Sequence, residues 1–428
     1  MKTGLNFLIA ARQCEMADLQ QLAHTSGLVQ ATARLVHELQ RERGLSNLYL
    51  GSGGERFGSA RQEQTLLTTE AETDLRACFD ALSLETGRPS HGARLFSRIA
   101  CALHGLDALT LLRQRVLTME WSMERTIGCY MRLIAGLLSV VYEAADTASD
   151  PVISRLLVAL FNFMQGKEYA GQERAQGAAM YAVGIAQATG QQRILELIDA
   201  QERCLKVFAD FSTAQARAHW DESQQPGTLA ELERMRRVLC TAPDGAQLNT
   251  DLCEVWFGCC SRRMNEMKAV EDLLMQELQT RCQDQLSVAG AELQALQDLQ
   301  TALPTRTQTA QALKAAESFF SEQGEAVSDA PPRQTLASPL ERSILELVQE
   351  QARRLQNVQD ELDTVRASLN ERKVIERAKG LLMAHKQMSE ADAHKTMRQM
   401  AMSQNRRLLD VADAVLTMAE VLPTAHLH

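Results

Sequence analysis

The feature that most constrains this chain is a helical repeat of apolar residues that runs through most of the range from Leu19 to Leu286. Apolar residues recur there at spacings of three and four, which is typical of amphipathic helices. Short turns containing Gly or Pro interrupt the repeat at residues 51–54, 86–89, 150–151 and 226–227. The spacing of these turns predicts about eight helices, arranged as one long bundle or as two stacked four-helix bundles.

The composition agrees with an all-α fold. Aromatic residues make up only 4% of the chain, and the most abundant side chains are good helix formers. At 428 residues the chain exceeds the length of roughly 250–300 at which one hydrophobic core usually stops growing. We therefore expect at least two domains, with the helical bundle occupying residues 1–286.

A change of composition separates the bundle from the C-terminal part. Residues 287–339 are predicted to be a linker region, because the chain becomes rich in Gln and Ala and then, over Ser321–Pro339, in Pro, Ser and Gly. Residues 340–428 follow, and they begin with an apolar repeat from Ile344 to Val365. That repeat predicts a coiled-coil helix of about thirty residues, and with it a homodimer.

Three short helices are predicted after the coiled coil, which gives a small three-helix C-terminal domain. The first runs through Val374–His385. The second begins at Ser389, where the S-x-x-D pattern is that of a capping box, and extends to about Ser403. The third runs through Leu408–Val421.

The charge distribution differs between the two parts of the chain. The formal net charge is −9. From Glu371 onward, nine Lys or Arg and seven Asp or Glu give +2, which leaves −11 on residues 1–370. A nucleic-acid partner is therefore compatible only with the C-terminal part.

The cysteines and the apolar runs indicate a cytoplasmic location. None of the ten cysteines lies in a C-x-x-C pair, which is typical of buried thiols in a reducing compartment. The longest apolar run, near Leu133–Tyr142, is about half the length of a membrane span. We expect a protein without a membrane partner, a metal site or a bound cofactor.

Three arginines fall on the apolar faces of predicted helices when each residue is rotated by about 100°. Arg43 lies among Leu residues, Arg174 lies five turns from Leu156, and Arg236 shares a face with Leu232. A single arginine of this kind is commonly explained by snorkelling or by pairing with a carboxylate, for which Glu38, Glu168 and Glu173 are available. Three such arginines indicate a buried anion, because a buried guanidinium needs compensation.

The segments around these arginines resemble the NIT domain, a helical bundle that senses nitrate and nitrite. The matching segments are Gln40–Asn47, Phe163–Ala178 and, more weakly, Met235–Val238. The resemblance implies that Arg43, Arg174 and Arg236 bind nitrate or nitrite as the effector ligand. Arg263 also lies on an apolar stripe, but the motif does not include it, and we interpret it as part of an interhelical ion pair.

The C-terminal helices carry a set of basic residues that could neutralise phosphates: Lys373, Arg377, Lys379, Arg398, Arg406 and Arg407. Charge alone equally fits a solvated basic face. The segments Val374–Met383, Ser389–His394 and Met397–Ala412, however, resemble the ANTAR domain, an RNA-binding module. The resemblance implies binding to hairpins in leader mRNA and transcription antitermination of nitrate and nitrite assimilation genes. No aromatic residue follows Phe320, so recognition cannot depend on stacking bases on aromatic rings.

Two other functions remain open from the residues alone. The N-terminal bundle could be a scaffold controlled by a protein partner, with RNA binding retained. An enzyme is disfavoured, because the sequence offers no nucleotide loop, no metal-ligand cluster and no ordered set of catalytic side chains.

Overall fold

The computed structural model describes residues 4–82, 91–146, 150–224, 226–302, 353, 356–363, 365, 374–375, 377–379, 381–382, 390–404 and 406–421. The chain divides into two compact units, Met1–Arg354 and Leu355–His428. Within the described ranges the regular elements are α-helices, and the only β pairing is one bridge between Ile185 and Gln247. The prediction of an all-α fold is confirmed.

The first unit contains the long helices. In chain order they are α1 (Gly4–Gly51), α2 (Gly58–Asp80), α3 (His91–Asp107), α4 (Leu109–Leu117), α5 (Met123–Asp146), α6 (Pro151–Val183), α7 (Ala188–Phe211), α8 (Ala214–Ser223), α9 (Pro226–Thr241) and α10 (Leu252–Ala302). The described residues of this unit form ten helices, compared with the about eight that the sequence predicted. Whether they form two stacked four-helix bundles stays a prediction.

Several helix ends lie where the sequence placed a break. Helix α1 ends at Gly51, and α6 begins at Pro151 after Asp150, whose carboxylate accepts the backbone N–H of Ile153. Proline suits the first turn of a helix because its missing N–H would have no helical acceptor there. The turn predicted at residues 86–89 lies outside the described residues.

Helices α1 and α6 lie at the centre of the first unit. Both are buried on more than one face, since apolar and polar residues alike are shielded from solvent along their middle turns. The large core around them includes Leu35, Leu39, Phe163 and Met267, and a smaller core around Trp256 joins α6, α9 and α10. Buried polar residues such as Gln40, Arg43 and Lys167 therefore lie on these helices in the interior of the unit.

Helix α10 continues to Ala302, past residue 287, where the sequence placed the start of the linker. Its last turns are held by packing, because Leu293 and Leu296 form a small cluster with Leu5, Leu8 and Ile9 of α1. The range predicted as linker is therefore helical at its beginning. Residues 303–339, which include the Pro- and Ser-rich segment, lie outside the described residues.

Two segments, Ala93–Leu117 and Met123–Ala144, are long and apolar enough to pass a composition test for membrane spans. Their buried sides belong to the main core, through residues such as Leu106, Val116, Tyr130 and Leu137. Core helices of a bundle pass the same test, so the two segments have an explanation within the first unit. They are longer than the apolar run considered from the sequence.

The second unit is small. Its described helices are α11 (Glu390–Gln404) and α12 (Leu408–Val421), which agree with the second and third predicted helices. Ala378, Met397, Val411 and Ala412 form its core. Residues 356–363 are helical, but most of the predicted coiled coil and the capping box at Ser389 lie outside the described residues.

Candidate anion-binding site and nucleic-acid interface

Arg43 lies eight residues before the end of α1, with only 1% of its surface exposed. Its guanidinium faces Glu168 of α6, with Nη1 donating to Oε1 at 2.5 Å and Nη2 donating to Oε2 at 3.2 Å. The side-chain amides of Gln40 and Gln172 also donate to this carboxylate, at 2.9 and 3.0 Å. Glu168 thus accepts four hydrogen bonds. Its carboxylate is the anion that both terminal nitrogens of the Arg43 guanidinium bind, an arrangement called the fork of Arg43 below.

Arg174 lies one and a half turns further along α6 and is 5% exposed. It donates to Oγ of Ser261 at 3.0 Å and to the backbone carbonyl of Gln40 at 3.1 Å, and it lies over the ring of Phe257. No carboxylate lies within 4 Å of it among the described residues. Burial, and then the positive charge of Arg43, lower the pKa of Arg174 to about 10.

Two glycines allow the guanidinium groups to reach the interface between α1 and α6. A Cβ added to Gly171 of α6 would lie 2.6 Å from Nη2 of Arg43, and one added to Gly44 of α1 would lie 2.8 Å from Nη2 of Arg174. Each arginine therefore lies over a glycine of the opposite helix. We call Arg43, Arg174, Glu168 and Gln40 the Arg43 cluster; it contains two buried guanidinium groups and one buried carboxylate.

Arg236 of α9 belongs to a second group of polar residues. It forms a fork with Glu173 of α6, with both hydrogen bonds at 2.6 Å, and a further ion pair with Glu233. Gln201 of α7 donates to Glu173 at 2.7 Å and accepts from Arg263 of α10 at 2.7 Å. We call Arg236, Arg263, Glu173 and Gln201 the Arg236 cluster.

The pKa values of the two arginines of the Arg236 cluster are shifted in opposite directions from their usual value. Burial disfavours the charge of Arg236, but hydrogen bonds and attraction to Glu173 outweigh it and raise its pKa. The pKa of Arg263 is lowered by burial and then by the charge of Arg236. The glutamate thus compensates one guanidinium and leaves the other without a paired carboxylate.

Glu42 connects the Arg43 region to α4 and α5. Its side chain is fully buried and accepts two hydrogen bonds from Arg113, at 2.8 and 2.9 Å, and one from the hydroxyl of Tyr130 at 3.0 Å. Burial and the adjacent carboxylate raise the pKa of Tyr130, so its hydroxyl stays protonated and can donate. Glu42 and Arg43, adjacent in α1, therefore contact different helices, α4 and α5 in one case and α6 in the other.

A third buried pair lies between α6 and α10, where Lys167 donates to Glu271 and both side chains are fully buried. His37 of α1 is near this pair, and its Nδ1 is buried without a hydrogen-bond partner. Burial, and then the charge of Lys167, lower the pKa of His37 to about 2. His37 is consequently neutral throughout the physiological range.

Comparisons with known proteins match these features to a family. A model of the NIT domain, described as nitrate and nitrite sensing, matches residues 34–279, and a model of the ANTAR domain matches residues 363–416. The chain is 33% identical to a nitrate regulatory protein of Klebsiella oxytoca over 414 residues, or 97% of this chain and 95% of that protein. The chain belongs to the family of nitrate-responsive NIT–ANTAR transcription antiterminators. A solved structure of the NasR transcription antiterminator is also similar, with a TM-score of 0.59 and 31% identity over 97% of this chain and 99% of that one.

The NIT domain brings together two of the three arginines that the sequence selected. Arg43 and the side-chain amide of Gln40 both donate to Glu168, and Arg174 donates to the backbone carbonyl of Gln40. Arg236 is buried as predicted but shares no hydrogen-bonded partner with them among the described residues. The predicted ion pair of Arg263 is wrong, because its described partner is the amide oxygen of Gln201.

Several residues of the site were not selected from the sequence. Gln40 lies within the segment that resembles the NIT domain, but it is uncharged, whereas only charged residues on apolar helix faces were selected as candidates from the sequence. Ser261 and Phe257 contact Arg174 from α10, which lies far away in the sequence. Glu42, next to Arg43 in α1, is also fully buried, and Arg113 of α4 pairs with it.

The ANTAR domain places most of the predicted RNA-binding residues at its surface. Arg377, Arg398, Arg406 and Arg407 are exposed, whereas Lys379 is 5% exposed and Lys373 lies outside the described residues. Arg406 and Arg407 lie in the turn between α11 and α12. The backbone N–H of Arg407 donates to Asp410 at 3.2 Å near the start of α12, and both Arg406 and Arg407 are exposed.

Proposed function

We propose that this protein binds nitrate or nitrite in its NIT domain and, in response, binds hairpins in leader mRNA through its ANTAR domain. Binding to the hairpins prevents a terminator from forming and so permits transcription of nitrate and nitrite assimilation genes. The observation that carries the sensing half is the composition of the Arg43 cluster. Two buried guanidinium groups face one buried carboxylate there, which leaves one positive charge for an anion to neutralise.

The chemistry of the cluster suits a small planar oxyanion. Guanidinium groups donate in the plane of an oxyanion through two parallel N–H groups, as Arg43 does to Glu168. Nitrate is flat, carries one negative charge and is weakly hydrated, so its transfer into a buried site costs less than that of a dianion. Sulfate or phosphate would bring more charge than the cluster can compensate.

Glu168 provides a route from binding to a structural change. An anion between Arg43 and Arg174 competes with this carboxylate for the fork of Arg43. Displacement of Glu168 would change the contacts that α6 makes with α1 and, through Arg174 and Ser261, with α10. A coupling free energy of about 1–3 kcal/mol between the two arrangements is enough for a 5–150-fold effect on RNA binding.

RNA binding is assigned to the exposed arginines of the ANTAR domain. Arg377, Arg398, Arg406 and Arg407 present guanidinium groups to solvent, where they can contact phosphates of a hairpin. The buried Lys379 is better placed to support the domain than to contact RNA. We extend the proposal to a homodimer formed by the coiled-coil helix, to a cytoplasmic location and to nitrate or nitrite as the effector, without a further cofactor.

The direct test is a leader-RNA binding assay with and without nitrate at a fixed salt concentration. Nitrate should tighten binding of the full chain to a leader hairpin, and Arg43→Lys should remove this response, because an ammonium keeps the charge but loses the fork. Arg41→Lys is the matched control, since Arg41 lies on the same helix with its side chain half exposed. Far-UV circular dichroism checks that both variants are folded.

Equal nitrate responses in the two variants would refute the assigned site. Calorimetry of the full chain with nitrate separates the sensor from a scaffold controlled by a protein partner. A scaffold should give no saturable heat, whereas the proposed sensor should titrate to a defined end point.

A further inference from the structure

Trp256 of α10 contacts the arginine of the Arg43 cluster that has no carboxylate within 4 Å among the described residues. Its indole Nε1 donates to the backbone carbonyl of Arg174 at 3.0 Å. Its side chain is the largest of the fully buried side chains in the described part of the chain. Helix α10 thus contacts Arg174 at both ends, at its backbone through Trp256 and at its guanidinium through Ser261 and Phe257.

A glycine of α6 allows the indole to approach this closely. A Cβ added to Gly177 would lie 2.4 Å from Cε2 and 2.5 Å from Nε1 of Trp256. Because a side chain at this position would meet the ring, the indole can lie against the backbone of α6 only where the residue is glycine. Gly177 belongs to the turn of α6 that follows Arg174. A rotation of α6 that moves Arg174 would therefore also move the surface on which the indole lies.

Trp256 also belongs to the smaller core between α6, α9 and α10. Its ring lies 6.0 Å from that of Tyr181, whose hydroxyl donates to the backbone carbonyl of Met235 in α9 at 3.1 Å. Burial raises the pKa of Tyr181 to about 12, so its hydroxyl is protonated at neutral pH and can donate. Met235 directly precedes Arg236. The two aromatic side chains thus bind the backbone of α6 at Arg174 and the backbone of α9 beside Arg236.

We propose that Trp256 is a positioning residue of the anion site, whose indole fixes the backbone of Arg174 and thereby the direction of its guanidinium. The inference rests on the proposed function. Glu168 directs the guanidinium of Arg43, whereas neutral partners and the contact at its own backbone direct that of Arg174. A guanidinium that is already held in the direction of the ligand loses less conformational freedom on binding, which increases the affinity.

The test is isothermal titration calorimetry of the full chain with sodium nitrate, using sodium chloride at the same ionic strength as the reference. Trp256→Phe keeps a buried aromatic ring but removes the N–H. It should raise the dissociation constant of nitrate by about fivefold to tenfold, which is the effect expected for one lost hydrogen bond.

Trp220→Phe is the matched control. Trp220 of α8 is also buried, and its ring packs against Phe163 of α6, about three turns before Arg174. Both variants should unfold at lower temperature than the wild type, because each loses packing in a core. Only Trp256→Phe should bind nitrate more weakly, since a purely structural tryptophan changes stability without changing the affinity for the anion.

A spectroscopic measurement on the wild-type chain does not depend on the folding of Trp256→Phe. The chain contains three tryptophans, so its ¹H–¹⁵N spectrum should show three indole N–H signals. Trp121→Phe and Trp220→Phe assign two of them and leave the third to Trp256. Nitrate should move the Trp256 signal, because its N–H is bound to the residue that binds the anion, and should leave the other two in place.

Two results would overturn the positioning role and leave the proposed function intact. One is a dissociation constant of nitrate that is the same for Trp256→Phe and Trp220→Phe. The other is an indole signal of Trp256 that nitrate does not move while the wild-type chain binds nitrate. If the wild-type chain gives no saturable heat, nitrate sensing itself fails, and the positioning role fails with it.

Discussion

Replacing Glu168 with Gln should destabilise the NIT domain and make its stability more dependent on nitrate. Glutamine keeps an oxygen that can accept from Arg43 but removes the only carboxylate within 4 Å of either guanidinium in the described Arg43 cluster. Breaking a buried pair by removing one partner costs about 3–5 kcal/mol. We expect the lower end, about 3 kcal/mol, because a hydrogen bond can persist in this variant.

The expected change in melting temperature follows from the size of the domain. For domains of 150–250 residues, each kcal/mol shifts the midpoint by about 2–4 °C, so Glu168→Gln should melt about 6–12 °C below the wild type without nitrate. Nitrate at 100 times its dissociation constant adds about 2.7 kcal/mol and should recover most of that loss. The recovery should exceed the nitrate-induced shift of the wild type, because in the variant the anion no longer competes with a carboxylate.

The measurement is thermal unfolding at 222 nm with and without nitrate, at constant ionic strength. Glu254→Gln is the matched control: Glu254 forms an exposed ion pair with Arg56, and its loss should change stability by less than about 1 kcal/mol. A melting temperature of Glu168→Gln equal to that of Glu254→Gln would contradict this prediction. So would a nitrate-induced rise in melting temperature no larger in Glu168→Gln than in the wild type.

Three further changes test other parts of the structure. Gly171→Ala places a methyl group 2.6 Å from Nη2 of Arg43 and should abolish the nitrate response of RNA binding, whereas Gly136→Ala, whose added Cβ meets no atom within 4 Å, should leave it intact. Because His37 has a pKa of about 2 when folded and about 6.5 when unfolded, wild-type stability should fall by about 1.4 kcal/mol per pH unit below pH 6.5, in addition to other groups. Urea unfolding at pH 7.5 and 5.5 should show a smaller loss for His37→Gln, and equal losses would contradict the burial of a neutral imidazole. Arg407→Ala should weaken RNA binding on all hairpin sequences and reduce the slope of log K against log salt by about one; an unchanged slope would remove Arg407 from the interface.

Much of the fold could be predicted because the relevant signals are local. The period of the apolar residues identifies a helix wherever it occurs, and Pro and Gly mark ends such as Pro151 and Gly51 independently of the neighbouring helices. The continuation of α10 to Ala302 was missed because its last turns are rich in Gln and Ala. They pack against the first turns of α1, and Leu293 lies 288 residues after Leu5 in the sequence.

The sequence by itself predicted that Arg43, Arg174 and Arg236 turn inward, since the rotation of a residue around its own helix depends only on its position; it did not select Arg61, which is also buried. It did not determine their partners. Glu38, Glu168 and Glu173 were all available as partners of the arginines. Only the packing of α1 against α6 pairs Glu168 with Arg43, while Glu38 accepts a hydrogen bond from Gln64 of α2. The tertiary structure also separates Arg236 from the other two arginines and places Arg263 beside it, because contacts between helices depend on crossing geometry and on residues as small as Gly44 and Gly171.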